Sequence, residues 1–267
     1  MTTAVVIQAR MSSSRLPGKI MLDAGGETFL AWAVKRCMAI PGADTVCVAT
    51  TDGADCDPVA EEARRLGAEV FRGDERDVLG RYLGAAHAVG ATTVMRVTSD
   101  CPLIDPNVCG AVLDLRQRTG ADYASNNMPS SWPHGLDCEA FTTAALARAK
   151  DLAETTYDTE HVTPVLRSRP EFKTASLLGP GGAWERLRWT LDTADDLAFF
   201  QSLLPLLSGP GADLAEVLDC LDQHPALYRQ CFKPAESARV DQQAAQVETA
   251  TPDLLRPFQR PDMKTGT

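Results

Sequence analysis

The sequence predicts an α/β fold, in which a mostly parallel β-sheet is flanked by helices and carries a small extension of mixed strands. Two observations predict this class. Short apolar runs alternate with segments of helical apolar spacing through the first 120 residues, as expected when βα units build a parallel sheet. After Asp122 the segments become shorter and more strand-like, which favours a mixed extension of that sheet or a small lobe on it.

Four strand–helix pairs make up the first part of the chain. The predicted strands are the apolar runs 4–9, 45–50, 68–73 and 92–98. The predicted helices are 29–40, 57–67, 77–90 and 106–120. Three of these helical patterns stop at a glycine, and 29–40 stops before Pro41-Gly42; both are common helix ends.

The second part of the chain is less regular. Its predicted strands lie in 122–127, 136–142, 172–178 and 187–191, and its predicted helices are 143–153, 157–168, 194–207 and 212–224. These elements complete one predicted domain over residues 1–232. Residues 233–267 lack a long periodic stretch, so we expect a disordered or loosely docked tail in which Leu254, Leu255 and Phe258 form a short docking segment.

Charge and cysteine usage argue against several classes of protein. The formal net charge of −10 argues against a wide nucleic-acid-binding face. The eight cysteines are dispersed without a CxxC pair, so neither a zinc site nor a disulfide scaffold is expected. The chain shows no apolar stretch of bilayer length and no signal-peptide pattern, so we expect a cytoplasmic protein with no membrane partner.

The loop after the first predicted strand carries the clearest functional signal. The segment IQARMSSSRLPGKIM (7–21) contains Arg10, Arg15 and Lys19 and no acidic residue. Ligands of parallel sheets bind beyond the carboxyl ends of the strands, where this loop lies. Small serines at 12–14 and a glycine at 18 let backbone N–H groups approach an anion. We therefore predict a phosphate-binding loop, although it matches neither G-x-x-x-x-G-K-[ST] nor G-x-G-x-x-G.

Two aspartates at predicted strand ends are candidate metal ligands. Asp100 ends the strand-like part of RVTSDCPLIDP (96–106), and Asp192 follows the strand-like segment 187–191. Mg²⁺ typically takes one or two carboxylates together with waters and substrate phosphates. A turn-forming role is the alternative for Asp100. Asp105 and the pair Asp195 and Asp196 fit better as helix-start residues.

Four further polar residues are candidates for contact with a second substrate. They are His134, Asp137, Glu139 and His161. Asp137 and Glu139 stand two apart in a predicted strand, so they are expected to share one face. A structural role is an equally good interpretation for each histidine.

Taken in their order along the chain, the motifs resemble those of the spore coat polysaccharide biosynthesis protein F family. That family groups with cytidylyltransferases similar to CMP-3-deoxy-manno-octulosonate and CMP-acylneuraminate synthetases. The resemblance covers about residues 1–230. It is carried by the opening loop and by VATTD (48–52), VFRGDERDVLGRY (70–82), RVTSDCPLIDP (96–106), GLDCEAF (135–141), EHVTP (160–164) and LRWTLDT (187–193). It implies a nucleotidyltransferase, Rossmann-like fold. It also implies a homodimer, for which 123–180 is the expected contact region.

The resemblance also implies residue roles. Asp100 and Asp192 would hold Mg²⁺ and, with Arg15 and Lys19, form the catalytic set. The implied nucleotide-binding residues are Gln8, Ala9, Arg10, Met11, Ser12, Ser13, Ser14, Arg15, Lys19, Gly73, Asp77, Val78, Leu79, Arg96 and Ser99.

The expected activity is Mg²⁺-dependent transfer of CMP from CTP to a sugar, sugar-acid, phosphate or phosphonate acceptor, with release of pyrophosphate, in surface polysaccharide or glycan biosynthesis. Three alternatives stay open. A metal-dependent glycosyltransferase usually carries Asp-x-Asp, whereas this chain has Pro102 two residues after Asp100. A nucleotidyltransferase that uses another base would share the loop. A non-catalytic nucleotide-binding module would not need both Asp100 and Asp192.

Overall fold

Apolar runs form the centre of one eight-stranded sheet in the computed structural model of the protein, which describes residues 2–233 and 242–260. The strand order is β3-β2-β1-β4-β6-β5-β7-β8. The strands are β1 Thr3–Gln8, β2 Thr45–Thr51, β3 Glu69–Gly73, β4 Thr93–Thr98, β5 Tyr123–Ser125, β6 Glu139–Thr142, β7 Thr174–Leu178 and β8 Gln246–Thr249. The predicted α/β class with mixed strands is confirmed.

The first four strands are parallel. β1 lies between β2 and β4, and β3 pairs with β2. Residues 4–7 of β1 have no exposed surface because both faces of the sheet are covered, which explains a continuous apolar run instead of alternation. Gln8 pairs with Thr98, so the chain leaves β1 and β4 side by side. We call this border of the sheet the carboxyl edge.

Strand β6 is the point at which the sheet becomes mixed. It runs antiparallel to both β4 and β5, whereas β7 runs parallel to both of its neighbours, β5 and β8. The register places Glu139 of β6 beside Arg96 of β4. The mixed strands therefore extend the main sheet and do not form a separate lobe.

Helices flank both faces of the sheet. They are α1 Phe29–Met38, α2 Asp57–Arg65, α3 Val78–Ala88, α4 Pro106–Thr119, α5 Thr143–Asp151, α6 Thr156–His161, α7 Pro164–Ser168, α8 Ala194–Leu203, α9 Leu214–Gln223, α10 Pro225–Cys231 and α11 Pro252–Leu255. Within the described residues, no helix is both long and apolar enough to cross a membrane.

Side-chain caps explain where several helices begin. The Asp105 carboxylate accepts hydrogen bonds from the backbone N–H groups of Asn107 and Val108 at the start of α4. Thr193 caps α8, and Asp196 completes a reciprocal capping box with it. The interpretation of Asp105 and Asp196 as helix-start residues is confirmed.

The predicted strand at 187–191 is wrong. This segment is extended, but only Leu187 and Arg188 form isolated bridges, with Phe232 and His134. The alternation that predicted a strand arises because Leu187, Trp189 and Leu191 are all fully buried against the core. Apolar side chains at every second position give a period of two without a hydrogen-bonded ladder.

Two helix predictions also differ from the structure. The predicted helix 157–168 is divided into α6 and α7, because the chain turns at Val162, with φ of 71°, and Pro164 then starts the second helix. Helix α10 was not predicted. Its Pro225 lies in the first turn, where a missing N–H costs no hydrogen bond.

The described part of the C-terminal tail is more ordered than its composition predicts. β8 pairs with β7 through residues 246–249. Phe258 is 5% exposed and packs edge-on against Trp132 and Trp184. The short strand has too few residues for its pattern to be recognised, and its pairing depends on backbone groups at the border of β7. Residues 234–241 and 261–267 of the predicted tail lie outside the described residues, and the division at 232 stays a prediction.

Candidate active site

The opening loop folds back on itself at the carboxyl edge. The backbone carbonyl of Met11 accepts hydrogen bonds of 3.0 Å from the N–H groups of Ser13 and Gly18. Gly18 has φ of 68°, which glycine adopts without steric cost. A short 3₁₀ helix, Lys19–Met21, follows directly and turns Lys19 inward, so this lysine is only 8% exposed.

Lys19 joins the two predicted metal-binding aspartates. Its Nζ lies 3.0 Å from Asp100 Oδ2 and 2.8 Å from Asp192 Oδ1. It also donates to the backbone carbonyl of Leu191 at 2.5 Å. The aspartates are far apart in sequence, and a backbone hydrogen bond of 2.8 Å from Leu191 N–H to the Asp100 carbonyl brings them together.

The charges of this cluster stabilise one another. Burial lowers the pKa of Lys19, but the carboxylates of Asp100 and Asp192 outweigh it, so the pKa stands above its usual value. Burial raises the pKa of Asp192, and the hydrogen bond and charge of Lys19, with the charges of Arg188 and Arg15, bring it below its usual value. Lys19 is therefore an ammonium and Asp192 a carboxylate at neutral pH.

Arg188 belongs to the site but was not predicted. One of its terminal nitrogens donates to Asp192 Oδ2 at 2.6 Å, and the other lies 3.1 Å from His134 Nδ1. Its Nε lies 3.6 Å from Asp196 Oδ1. The available signal was a lone charge among the buried residues of 187–191. Such a residue has to find a partner in the interior.

The predicted phosphate loop lines a cavity of about 220 Å³, which we call the nucleotide cavity. Its cations are Arg10, Arg15 and Lys19. The rest of its lining includes Gln8, Ser12, Ser13, Ser14, Thr98, Ser99, Asp100 and Asp192. Most of the predicted nucleotide-binding residues therefore meet around one space.

Other predicted nucleotide-binding residues lie outside that lining. Val78 and Leu79 are buried in the core, and Ala9 is 1% exposed. Asp77 caps α3 through the Gly80 N–H and contacts Lys150 Nζ at 2.6 Å. Met11 helps to shape the loop through its backbone carbonyl.

A second space of about 610 Å³ adjoins the loop. It is lined by Arg10, by residues 74–77 after β3, and by Thr156, Thr159 and Glu160 of the α6 segment. Arg10 lies 3.7 Å from Glu75, and the Ser12 hydroxyl donates to the same carboxylate. Gly73, the last residue of β3, leads into this segment.

A third cavity of about 230 Å³ adjoins the same aspartates, and we call it the acceptor cavity. It is lined by Thr98, Asp100, Cys101, Asn127, Ser130, His134, Asp137, Thr190 and Asp192. The nucleotide cavity and the acceptor cavity therefore share Thr98, Asp100 and Asp192. Two of the four predicted second-substrate residues, His134 and Asp137, face this space.

The other two predicted second-substrate residues lie elsewhere. Glu139 is 2% exposed, forms an ion pair with Arg96, and accepts hydrogen bonds from the hydroxyls of Tyr123 and Thr163 at 2.6 and 2.7 Å. The expectation that Asp137 and Glu139 share a strand face is wrong, because β6 begins only at Glu139. His161 is exposed on α6, where its ring contacts Tyr157 at 4.3 Å between centroids.

The two aspartates fit a divalent cation. The Lys19 ammonium already occupies a point that three oxygens surround, from Asp100, Asp192 and the Leu191 carbonyl. Hard oxygen ligands of this kind are those that Mg²⁺ prefers. No group of three His, Cys, Asp or Glu side chains with metal-binding geometry occurs among residues 2–233 and 242–260. A metal here would therefore depend on ligands beyond the side chains, such as substrate phosphates.

A cationic loop at the carboxyl edge of a parallel sheet, beside two aspartates that line two cavities, fits a nucleotidyltransferase. A family model described as cytidylyltransferase matches residues 4–185, so the chain belongs to the cytidylyltransferase family. The predicted family resemblance and the enzyme class are confirmed.

The chain is also similar to individual proteins. The uncharacterized protein MJ1063 of Methanocaldococcus jannaschii is 30% identical over 224 residues, which are 83% of this chain and 91% of that protein. The spore coat polysaccharide biosynthesis protein SpsF of Bacillus subtilis is 28% identical over 230 residues, or 82% and 94% of the two chains. A 3-deoxy-manno-octulosonate cytidylyltransferase of Chelativorans sp. is 35% identical over 131 residues, or 47% and 50%.

Solved structures share the fold. A cytidylyltransferase from Leptospira borgpetersenii superposes with a TM-score of 0.81 at 28% identity, covering 89% of this chain and 99% of that one. This superposition covers more of the chain than the family model does, so the structural similarity extends beyond residues 4–185.

Proposed function

We propose that the protein transfers CMP from CTP to an acceptor related to sugars or sugar acids and releases pyrophosphate. The observation that carries this proposal is the shared wall of two cavities. A cationic cavity and a polar cavity meet at Asp100 and Asp192, so a triphosphate in the first and an acceptor in the second would touch at these carboxylates. Membership of the cytidylyltransferase family supports CTP as the donor.

The loop residues bind and orient the nucleotide in this proposal. Arg10, Arg15 and Lys19 contact the triphosphate oxygens, and the N–H groups of Ser12 and Ser14 add uncharged donors. An acceptor hydroxyl oxygen then forms a bond with the α-phosphorus. The bond from that phosphorus to the β-phosphate oxygen breaks, pyrophosphate leaves, and the hydroxyl proton is released to water.

Lys19 has two successive roles in this proposal. Before CTP binds, its ammonium keeps Asp100 and Asp192 together at 3.0 and 2.8 Å. When CTP is bound, the same ammonium neutralises charge on the leaving pyrophosphate. Alignment and fixed charge supply most of the acceleration in phosphoryl-type transfers, so a preassembled cluster suits the reaction.

Mg²⁺ is the cation that we propose for the aspartate pair, with Asp100 and Asp192 as its protein ligands. A bound divalent ion would polarise the α-phosphate and offset developing negative charge. We further propose a cytoplasmic enzyme of surface polysaccharide or glycan biosynthesis, with 123–180 as the contact region of a homodimer. The family relationship to the spore coat polysaccharide protein supports the pathway class.

Pyrophosphate release tests the proposal most directly. Each NTP is incubated with Mg²⁺ and a panel of sugars, sugar acids and their phosphates. We expect pyrophosphate release with CTP and with none of the other NTPs. In Asp192→Asn, we expect turnover to fall on the order of a hundredfold, with CTP binding retained. Asp195→Asn is the control, because Asp195 is exposed in the first turn of α8 and should not affect turnover.

Three outcomes would contradict parts of the proposal. Unchanged turnover in Asp192→Asn would remove this aspartate from the catalytic set. Release of UDP or GDP from a nucleotide sugar, without pyrophosphate, would identify a glycosyltransferase. CTP binding without turnover of any acceptor would leave a non-catalytic nucleotide-binding module.

A further inference from the structure

The ammonium of Lys19 fills the position between the two aspartates. A lysine ammonium has three N–H donors. Its acceptors here are Asp100 Oδ2 at 3.0 Å, Asp192 Oδ1 at 2.8 Å and the Leu191 carbonyl at 2.5 Å. Each donor therefore has an oxygen, and the residue is only 8% exposed. The two carboxylates are those to which the proposed function assigns Mg²⁺.

Arginines face the remaining charge of Asp192. Arg188 donates to Asp192 Oδ2 at 2.6 Å, and a guanidinium nitrogen of Arg15 lies 3.3 Å from Asp192 Oδ1. Arg188 also lies 3.6 Å from Asp196 Oδ1. With Lys19 included, the cluster formed by these ion pairs has three cations and three carboxylates. It therefore offers no surplus of negative charge to a free metal ion.

A divalent metal ion at the aspartates would have to displace the Lys19 ammonium. Mg²⁺ holds its oxygen ligands at about 2.0–2.1 Å in an octahedron and keeps several of its waters. The ammonium lies within 3.0 Å of the carboxylate oxygens that such an ion would use. It leaves no room there for the waters, and its positive charge repels the doubly charged ion.

A bound triphosphate would offer Lys19 other partners. The lysine lines the nucleotide cavity together with Arg15 and the two aspartates. Phosphate oxygens in that cavity are strong acceptors for an ammonium and for a guanidinium. They are also the ligands that usually complete a Mg²⁺ site built on one or two carboxylates. The same ligand therefore draws the lysine away from the aspartates and supplies the missing oxygens to a metal ion.

We infer that Lys19 is a resident counter-ion that keeps divalent metal ions off Asp100 and Asp192 until a nucleoside triphosphate is bound. Metal and nucleotide then bind with positive coupling, and each raises the affinity of the other by the same factor. This binding order rests on the proposed function, which supplies the triphosphate and assigns the metal to the aspartates. The lysine thereby sets when the metal binds, in addition to contacting the phosphates.

Metal binding without nucleotide tests the lysine directly. Mn²⁺ is the probe, because it suits oxygen ligands as Mg²⁺ does and its free form is counted by electron paramagnetic resonance. We expect Lys19→Met to bind Mn²⁺ at least about tenfold more tightly than wild type, because no ammonium repels the ion. Lys35→Met, which removes an exposed lysine paired with Glu27, should behave as wild type. When Lys19→Met is combined with Asp192→Asn, the gained binding should disappear.

Nucleotide binding gives a second measurement of the same coupling. Calorimetry measures the affinity for the α,β-methylene analogue of CTP with and without Mn²⁺. The gain in affinity that Mn²⁺ confers should be about tenfold smaller in Lys19→Met than in wild type, because no lysine has to be displaced. Complex formation between Mn²⁺ and the analogue in solution is the same for both proteins and cancels in this comparison.

Equal Mn²⁺ affinity of wild type and Lys19→Met without nucleotide would overturn the inference, whether both bind tightly or neither binds. The melting temperature shows whether Lys19→Met is folded, and Lys19→Gln replaces it if it is not. Tight Mn²⁺ binding by nucleotide-free wild type that is lost in Asp192→Asn would overturn the inference without any Lys19 variant. These results leave CTP binding and pyrophosphate release standing. Failure of wild type to bind the CTP analogue would instead contradict the proposed function itself.

Discussion

The half of the sheet formed by β1–β4 and the half formed by β5–β8 position their functional residues by different means. In the first half, one continuous loop after β1 supplies the cations of the nucleotide cavity. The acceptor cavity shares residues 98–101 at the end of β4 with the first half, and the rest of its wall is assembled from 127–137 and from Thr190 and Asp192, which are far apart in the chain. The nucleotide cavity therefore depends mainly on local turns, whereas the acceptor cavity depends on long-range packing.

The Arg96–Glu139 ion pair joins these halves, because it connects β4 to the antiparallel β6. Glu139→Gln is expected to have the largest effect on stability. It leaves the Arg96 guanidinium, whose side chain is only 19% exposed, without its counter-charge, and breaking a buried pair in this way costs about 3–5 kcal/mol. Chemical denaturation at neutral pH measures the loss. Glu154→Gln is the control, since Glu154 is exposed and its pair with Arg169 contributes little.

The pH dependence gives this prediction a second measurement. Burial raises the pKa of Glu139, but the charges of Arg96 and Arg167 and two side-chain hydrogen bonds outweigh it, so the pKa lies below its usual 4.5. A carboxylate with a depressed pKa contributes its full stability above pH 4.5 and loses it as the pH falls through the native pKa. The difference between wild type and Glu139→Gln should therefore be constant above that pH and shrink below it. A constant difference at every pH would contradict the ion-pair explanation.

Lys19→Met tests the first half alone. The substitution removes the ammonium between Asp100 and Asp192. We expect the activation free energy to rise by about 3 kcal/mol, so that turnover falls on the order of a hundredfold. The loss should appear in pyrophosphate release, with the melting temperature measured in parallel to exclude unfolding. Lys35→Met is the control, because Lys35 is an exposed lysine paired with Glu27. Wild-type turnover in Lys19→Met would remove the lysine from the catalytic set.

Phe258→Ala tests the second half alone. Phe258 packs against Trp132, with ring centroids 5.9 Å apart, and Trp132 lies between Ser130 and His134 of the acceptor cavity. We expect the free energy of unfolding to fall by about 2 kcal/mol. This is less than the loss of about 3–5 kcal/mol that is typical of a domain core, because Phe258 lies on a terminal segment. Acceptor KM should rise while CTP binding is kept. An equal loss of CTP affinity would show that the halves do not act separately.

The difference between the halves also explains what the sequence could predict. The strands β1–β4 and helices α1–α4 were predicted within a few residues, because buried apolar runs and glycine stops are local signals. Residues 187–191 were mistaken for a strand because apolar residues at every second position imitate strand alternation. The short β8 has no comparable local signal, since its backbone pairing with β7 decides its structure.

The same limit applies to the site. The cations of the opening loop and the aspartates Asp100 and Asp192 were recognisable because both groups follow strand-like segments, at the edge where a parallel sheet binds ligands. Arg188, Asn127, Ser130 and Thr190 were missed, because nothing near them in sequence shows that a cavity lies beside them. Glu139 was assigned to the second substrate since a lone acid on a strand gives no sign of a buried arginine partner.

Asp77→Asn is expected to have the smallest effect and tests how far the nucleotide site extends toward α3. Asp77 accepts from the Gly80 N–H at 2.8 Å as the N-cap of α3, and its other oxygen pairs with Lys150. Asparagine caps helices as well as aspartate does, and a partly exposed pair contributes about 0–1 kcal/mol. If Asp77 acts only as a cap, the variant should keep both its melting temperature and its CTP affinity. Asp77→Ala removes the cap and should cost about 1 kcal/mol, again without changing CTP affinity. A marked loss of CTP affinity in Asp77→Asn, at unchanged stability, would instead make its carboxylate a nucleotide ligand and extend the site to the larger cavity beside Arg10.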